Sequence, residues 1–250
     1  MEYVDAKIKE IVSLIKDSNK VVVLTGAGIS TESGIPDFRS PETGLWEKID
    51  PMEALSTAVL MNRPEKFYKQ GFQLLLGMTD AKPNLTHEIL SKMQDDGYIS
   101  TIVTQNIDNL HQKAGSKNVL EVHGHIRDGY CIKCGKKMPI DHMNEKIKKK
   151  EIPPRCEGCN GVVRPSVVMF GDALPPCFDQ AWKEVEKCDL LMVMGTSLEV
   201  APVSHLAQIS KKIVIINIGK TAYDKKAEVI VNHKASEVLN KIYKELKGRN

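Results

Sequence analysis

Four of the chain's six cysteines form two CxxC pairs, Cys131 with Cys134 and Cys156 with Cys159, and this spacing constrains the fold more than any other feature. The 21 residues between the pairs lie near the upper end of zinc-ribbon spacing, and four thiolates close a tetrahedral shell. A closed shell leaves no position for water or substrate, so the predicted ion is one structural Zn2+ that holds a small module together. A redox pair is the poorer reading of two matched knuckles, and disulfides are disfavoured in the reducing compartment expected for this chain. Cys177 and Cys188 fall outside the pattern and read as ordinary buried or partly buried residues.

A metal-held module of that size leaves most of the 250 residues for a second, larger core. Apolar runs at 21–24, 99–104, 119–122, 190–194 and 213–216 read as buried parallel strands. Helical patterns are predicted near 51–61, 64–77, 84–96, 176–187, 202–210 and 235–247, with Asn84 or Thr86 and Ser236 as caps. Val4, Ile8, Ile11, Val12 and Ile15 mark one face of a further helix at the start. The expected class is therefore α/β, a doubly wound parallel sheet built from 1–34, 84–125 and 167–250. Two stretches interrupt it: a loop and helical insertion at 35–83, and the four-cysteine insertion at 126–166.

The charge balance narrows the choice of partners. Basic and acidic residues number 35 and 32, for a net +3, and they are mixed along the chain. No basic face suited to a duplex is visible, so no nucleic-acid partner is expected. The run Lys146, Lys148, Lys149 and Lys150 reads as a solvated helix end. No stretch reaches the roughly 18 apolar residues that span a membrane, and the amphipathic start is not a signal peptide. The expectation is a soluble, cytoplasmic monomer.

Chemistry-bearing residues gather at the predicted carboxyl ends of the strands, where open α/β sheets bind ligands. The first strand ends in Gly26-Ala27-Gly28-Ile29-Ser30-Thr31, a turn that lets backbone approach a pyrophosphate at a helix amino end. Thr31 stands where a dehydrogenase fingerprint has its third glycine, and no strand with an acidic end follows, so hydride transfer is not indicated. By itself this could be a plain strand-to-helix turn. The 99–104 strand delivers Gln105, Asn106 and Asp108, suited to a carboxamide or ribose hydroxyls or, equally, to a helix cap. His123, beside Gly124, is a general-base candidate, although a hydrogen-bonded structural histidine explains it as well. Gly195-Thr196-Ser197, and Asn217 with Gly219, follow two further strands and could bind nucleotide hydroxyls or simply turn the chain.

Taken in order, GAGIST and GIPDFR at 26–39, TQNID at 104–108, HG at 123–124, the knuckles, RPSVVMFGD at 164–172, GTSL at 195–198 and NIG at 217–219 resemble the sirtuin family. The resemblance is to its bacterial and archaeal type, a single catalytic core, and covers residues 8–245. It implies a Rossmann-like NAD-binding domain, a zinc-bearing small domain, and an acetyl-lysine peptide or protein bound between them. Ala27, Thr31, Phe38, Arg39, Gln105, Ser197 and Asn217 match cofactor contacts, and Gly26, Gly28, Gly195, Thr196 and Ala235 are assigned with them. Ser30, Ile35, Asp37, Asn106, Ile107 and Asp108 match the nicotinamide pocket. His123 matches the catalytic base, with Asn106 beside it in the catalytic set, and Val168, Phe170 and Gly171 match the segment that pairs with substrate backbone.

The implied reaction is transfer of the acyl group from lysine to ADP-ribose, releasing nicotinamide and 2′-O-acetyl-ADP-ribose and consuming NAD as co-substrate. The loop at 35–45 is expected to move, admitting NAD and excluding water. Family members that prefer succinyl groups carry Tyr and Arg three residues apart after the cofactor loop, where a guanidinium binds the carboxylate. Here Tyr68 is followed by Gly71, so an uncharged acyl group is expected. The rival functions are a zinc-ribbon recruitment module on an inert nucleotide fold and a mono-ADP-ribosyltransferase.

Overall fold

The computed structural model describes residues 2–37, 44 and 50–248. Helix α1 (Glu2–Lys16) leads into β1 (Val21–Thr25) and a 3-10 segment (Ala27–Ser33). Short helices follow: α2 (Pro51–Ala54), α3 (Thr57–Asn62), α4 (Pro64–Lys66), a π-helical turn (Phe67–Gly71) and α5 (Phe72–Leu76). Next come α6 (Leu85–Asp95), β2 (Thr101–Thr104), α7 (Leu110–Lys113), β3 (Val119–Glu121), β4 (Gly124–Cys131), β5 (Lys137–Pro139), α8 (Ile140–Lys148) and β6 (Val163–Val167). The chain closes with α9 (Cys177–Glu186), β7 (Leu190–Met194), α10 (His205–Ile209), β8 (Ile213–Ile216), β9 (Val229–Val231) and α11 (Ala235–Leu246).

Six strands form one parallel sheet in the order β3-β2-β1-β7-β8-β9. Every residue of β1, β2, β7 and β8 is buried, because helices cover both faces and leave no side to water. Alternation along β1 sends Val21 and Val23 into a core with α1, α6 and α11, and Val22 and Leu24 into a core with α9 and α10. The doubly wound sheet and the apolar face of α1 are as the sequence led us to expect. Winding proceeds outward in opposite directions from β1 and from β7, so the crevice beyond their carboxyl ends is the topological switch point.

A three-stranded antiparallel sheet, β5-β4-β6, carries the cysteine knuckles. Its core is continuous with the helices of 51–76: Phe67, Tyr68, Phe72 and Leu75 join Cys131, Met143, Cys156 and Val163 in one apolar cluster. Tyr68 ties the two together, its hydroxyl donating to the Val163 carbonyl at 2.6 Å.

Several boundaries differ from the sequence reading. The strand expected over 99–104 begins at Thr101, since the N–H groups of Tyr98 and Ile99 turn back to the Met93 carbonyl at the end of α6. Asn84 does cap α6: its side chain accepts the Thr86 N–H at 3.0 Å and His87 closes a capping box. Ser236 does not cap α11, which starts one residue earlier with Lys234 as an N-cap that makes no side-chain bond. Among the described residues no helix is long and apolar enough to cross a membrane.

Candidate active site and zinc centre

The site is assembled where β1, β2 and β7 end. Gly26 N–H donates to the Met194 carbonyl and Gly28 N–H to the Gly195 carbonyl, at 3.0 and 2.9 Å, locking the turns after β1 and β7 against each other. A Cβ on Gly26 would lie 2.6 Å from Thr196 Cβ, and one on Gly28 2.9 Å from the Gly195 backbone. Both glycines are thus required by the crossing of two loops. Gly195 itself has a φ of 62°, a left-handed conformation that glycine tolerates. Gln105 spans to this crossing, its amide donating to Thr196 Oγ1 at 3.1 Å.

Beneath it lies a buried polar cluster. Asn106 Nδ2 donates to the Gly26 carbonyl and to Ser30 Oγ, both at 3.1 Å, which leaves Oδ1 as its acceptor for a ligand. Ser30 Oγ in turn donates to Asp108 Oδ2 at 2.7 Å, and Asp108 Oδ1 accepts the Leu110 N–H at 2.9 Å. Burial pushes the Asp108 carboxyl above its usual range, opposed by those two donors. Ser30, Asn106 and Asp108 are 1%, 6% and 4% exposed, and Ile35 and Ile107 are buried beside them in sequence. Asn84 donates to the Ile29 carbonyl at 2.8 Å and to Ser33 Oγ at 3.0 Å, holding the 3-10 segment against α6.

His123 is half-buried just past β3. Its Nδ1 contacts the Gln105 carbonyl at 3.1 Å. A carbonyl only accepts, so Nδ1 carries the hydrogen and Nε2 is the basic nitrogen. The His123 carbonyl accepts the Val168 N–H at 2.9 Å, so base and substrate segment share one connection. That segment is not a strand here: β6 ends at Val167, and Phe170 makes an isolated parallel bridge to Ser56, exchanging backbone bonds with Leu55 and Thr57. Arg164 fixes the turn, pairing with both oxygens of Asp172, which also accepts the Met169 N–H at 2.8 Å. Burial opposes the Asp172 carboxylate, but Arg164 and that N–H hold its pKa below the usual carboxylate range. Phe170, 39% exposed, projects from this turn.

Other predicted residues lie along the same edge. Ala27 and Thr31 lie on the 3-10 segment, Thr31 donating to the Gly28 carbonyl. Ser197 donates to Glu199 Oε2 at 3.3 Å, Asn217 folds onto the Gly219 carbonyl at 2.9 Å after β8, and Ala235 starts α11. Asp37 follows the 3-10 segment, and Phe38 and Arg39 lie outside the described residues. The sequence reading gave no role to Arg164 and Asp172, the ends of its 164–172 motif, or to Thr104, and did not single out the buried Thr25, His87 and His111. Arg164 and Asp172, eight positions apart in a Pro- and Gly-marked stretch, were the legible signal among them.

The four predicted cysteines meet. Their sulfurs all lie within 4.8 Å of one another, with Cys131 to Cys159 at 3.5 Å and Cys134 to Cys156 at 3.7 Å. A tetrahedron with Zn–S of about 2.3 Å has edges of about 3.8 Å. Burial disfavours the thiolate at Cys131, but the N–H groups of Cys134 and Lys133 outweigh it and bring that thiol down to about 7. At Cys159 the Gly161 N–H favours the thiolate, yet the crowded sulfurs of Cys134 and Cys131 push the thiol up to about 12. Four thiolates this close require a cation. Gly161 completes the fit, since a Cβ there would lie 2.6 Å from Cys131 Sγ. The residues fit one structural zinc with no open position.

A doubly wound sheet with a nucleotide crevice at its switch point, a buried Asn-Ser-Asp cluster, an oriented histidine and a four-cysteine module define a nucleotide-using enzyme with a structural metal. The Sir2 family profile matches residues 26–202. NAD-dependent protein deacetylase 2 of Caldanaerobacter subterraneus subsp. tengcongensis is 55% identical over 250 residues, 99% of this chain and 100% of that one. A solved Sir2 with p53 peptide and NAD+ superposes with a TM-score of 0.87 at 37% identity, covering 96% of this chain and 98% of that one. A second Sir2 structure, holding an inhibitor, 2′-O-acetyl-ADP-ribose and deacetylated p53 peptide, gives 0.85 at 36% identity, over 97% and 100% of the chains. The chain belongs to the Sir2 family.

Proposed function

We propose that the protein is an NAD-dependent protein-lysine deacetylase, in which 1–34, 84–125 and 167–250 bind NAD, 35–83 form the cofactor loop and helical module, and 126–166 form the zinc module. The observation that carries this reading is the pairing of His123 with the Gln105–Asp108 segment. One carbonyl fixes the tautomer of the base, and the next residue, Asn106, is clamped with its Oδ1 left to accept. NAD, when bound, supplies the ribose carbon that takes the acyl oxygen and the leaving nicotinamide. Asn106 accepts from a ribose hydroxyl or a water. Asp108 and Ser30 hold the nicotinamide side rigid, with Ile35, Asp37 and Ile107 lining it. Gly26, Ala27, Gly28, Thr31, Phe38, Arg39, Gln105, Gly195, Thr196, Ser197, Asn217 and Ala235 contact the nucleotide. His123 Nε2 takes the proton of a ribose hydroxyl as the acyl group moves from lysine to ADP-ribose. The substrate chain lies along Val168, Phe170 and Gly171.

The related structures that hold acetylated or deacetylated peptide support a peptide partner. The protein acts as a monomer in the cytoplasm without nucleic acid, for which sedimentation of the purified chain is the test of assembly. The reaction itself is tested by incubating an acetyl-lysine peptide with the protein, with and without NAD, and following the products by mass spectrometry. NAD-dependent nicotinamide, 2′-O-acetyl-ADP-ribose and deacetylated peptide are expected. ADP-ribosylated protein in their place would turn the assignment to a transferase acting on a protein nucleophile.

Two details sharpen this. A Gly28→Ala variant places a methyl 2.9 Å from the Gly195 backbone, so its KM for NAD is expected to rise about tenfold or more, with zinc content unchanged. For the acyl group, Tyr68 is fully buried, donates its hydroxyl to the Val163 carbonyl, and burial pushes its phenol well above the usual tyrosine range. A Cβ at Gly71 would lie 2.1 Å from the Ala54 carbonyl oxygen, so no arginine fits there. The kcat/KM for an acetyl peptide should exceed that for the matched succinyl peptide by about 100-fold or more, as expected where a buried carboxylate meets no partner. Comparable turnover of the two peptides would reject the assignment.

A further inference from the structure

Below the polar cluster, two histidines that touch no predicted ligand face each other inside the core. His111 and His87 are 1% and 0% exposed, with ring centroids 5.0 Å apart in an edge arrangement. Burial pushes their imidazoles down to about 3 and about 4, so both rings are neutral at pH 7 and each carries one N–H and one lone pair.

At His111 the neighbours decide which nitrogen is which. The Thr25 hydroxyl donates to Thr104 Oγ1 at 2.8 Å, so in its 3.0 Å contact with His111 Nε2 the ring N–H donates and Thr25 accepts. His111 Nδ1 is then a lone pair. At His87, Nδ1 faces both the Asn84 N–H at 3.3 Å and Asn84 Oδ1 at 3.1 Å, so Nε2 carries the hydrogen in one tautomer and a lone pair in the other. His111 Nδ1 and His87 Nε2 are both buried without a partner among the described residues. His111 Nδ1 needs a donor, and a water, which can both donate and accept, satisfies His87 Nε2 in either tautomer. Ser116, whose N–H donates to the His111 carbonyl at 3.0 Å, brings a third buried group lacking a partner, its hydroxyl.

We propose that His87 Nε2 and His111 Nδ1 share one buried water, with the Ser116 hydroxyl as its third partner, and that His111 is thereby a positioning residue for the Asn106 segment. A buried water takes two to four polar partners, and these three match it in polarity. Donation from the water to Nδ1 fixes the tautomer that sends Nε2–H to Thr25. Thr25 then donates to Thr104, and Thr104 Oγ1 accepts the Asn106 N–H at 3.1 Å. The chain of polar groups runs from the cap of α6 to the backbone of the residue that closes on Gly26 and Ser30. The kinetic consequence rests on the deacetylase reading, whereas the water does not.

The test has two arms. A high-resolution crystal structure of the full chain is expected to show one ordered water within hydrogen-bonding distance of both nitrogens, and a dry gap there overturns the proposal. In kinetics, His111→Phe and the near-isosteric Thr25→Val each break the chain, whereas His111→Gln keeps an N–H for Thr25. The first two are expected to shift KM for NAD and the nicotinamide-exchange rate by about tenfold. The peptide KM should stay within about twofold, and His111→Gln should recover most of the loss. If His111→Phe and Thr25→Val lower only the melting temperature, or if His111→Gln fares no better than His111→Phe, the positioning role is wrong. Should the unaltered protein show no NAD-dependent turnover, the functional assignment fails and the crystallographic arm alone decides the water.

Discussion

Replacing Cys131 by alanine, or stripping the metal with a strong chelator, is expected to unfold the β5-β4-β6 module and abolish turnover together. Structural zinc contributes about 10–16 kcal/mol in isolated finger peptides at neutral pH, as large as the roughly 5–15 kcal/mol total stability of a typical domain. The damage should not stay local. Cys131, Cys156, Met143 and Val163 share one core with Phe67, Tyr68 and Phe72, and β6 runs directly into the Val168–Gly171 segment. The measurement is zinc content, circular dichroism and deacetylation on the same sample. A metal-free variant that keeps its ellipticity and activity would remove the structural role.

His123→Ala should leave fold and metal untouched while turnover falls by about 10²–10⁴, the range for loss of a general base. The substitution removes the Nδ1 contact with the Gln105 carbonyl, whereas the Val168 N–H bond to the carbonyl of residue 123 is made by backbone and survives. Zinc stoichiometry and melting temperature should therefore match the parent protein, and the loss should fall on kcat rather than on KM for the peptide. Wild-type turnover in this variant would move the base elsewhere, with His125 the nearest titratable ring in sequence.

How far the sequence reached depended on whether a feature is local. Strands β7 and β8 were legible because both faces are buried, which leaves an uninterrupted apolar run. The edge strand β9 has three residues and too little pattern to separate it from a turn. Strand β4 was hidden because it mixes inward Ile126 and Gly129 with Arg127 and Asp128, whose charges are met by Glu121 and Lys137. The cysteine cluster was readable from spacing alone because each knuckle is a closed local turn. By contrast, the clamp of Asn106 and Asp108 on Ser30 joins residues 76 and 78 positions apart, and periodicity carries no information at that separation. The sequence placed both partners at the sheet edge without revealing that they touch. His87 and His111 gave no signal at all, since a lone histidine in a helical pattern is most often structural and its partner lies on another element.

The close approach of Gly71 to α2 also bears on how this lineage can change. Tyr68 is committed to the zinc module, and position 71 has no room for a first carbon beside the Ala54 carbonyl. A mutation that introduced a guanidinium at 71 would meet purifying selection before it conferred any new substrate. Passage to acidic acyl chains thus requires the backbone near Ala54 to be rebuilt first, and descendants that make the switch should differ across 50–57 as well as at 71.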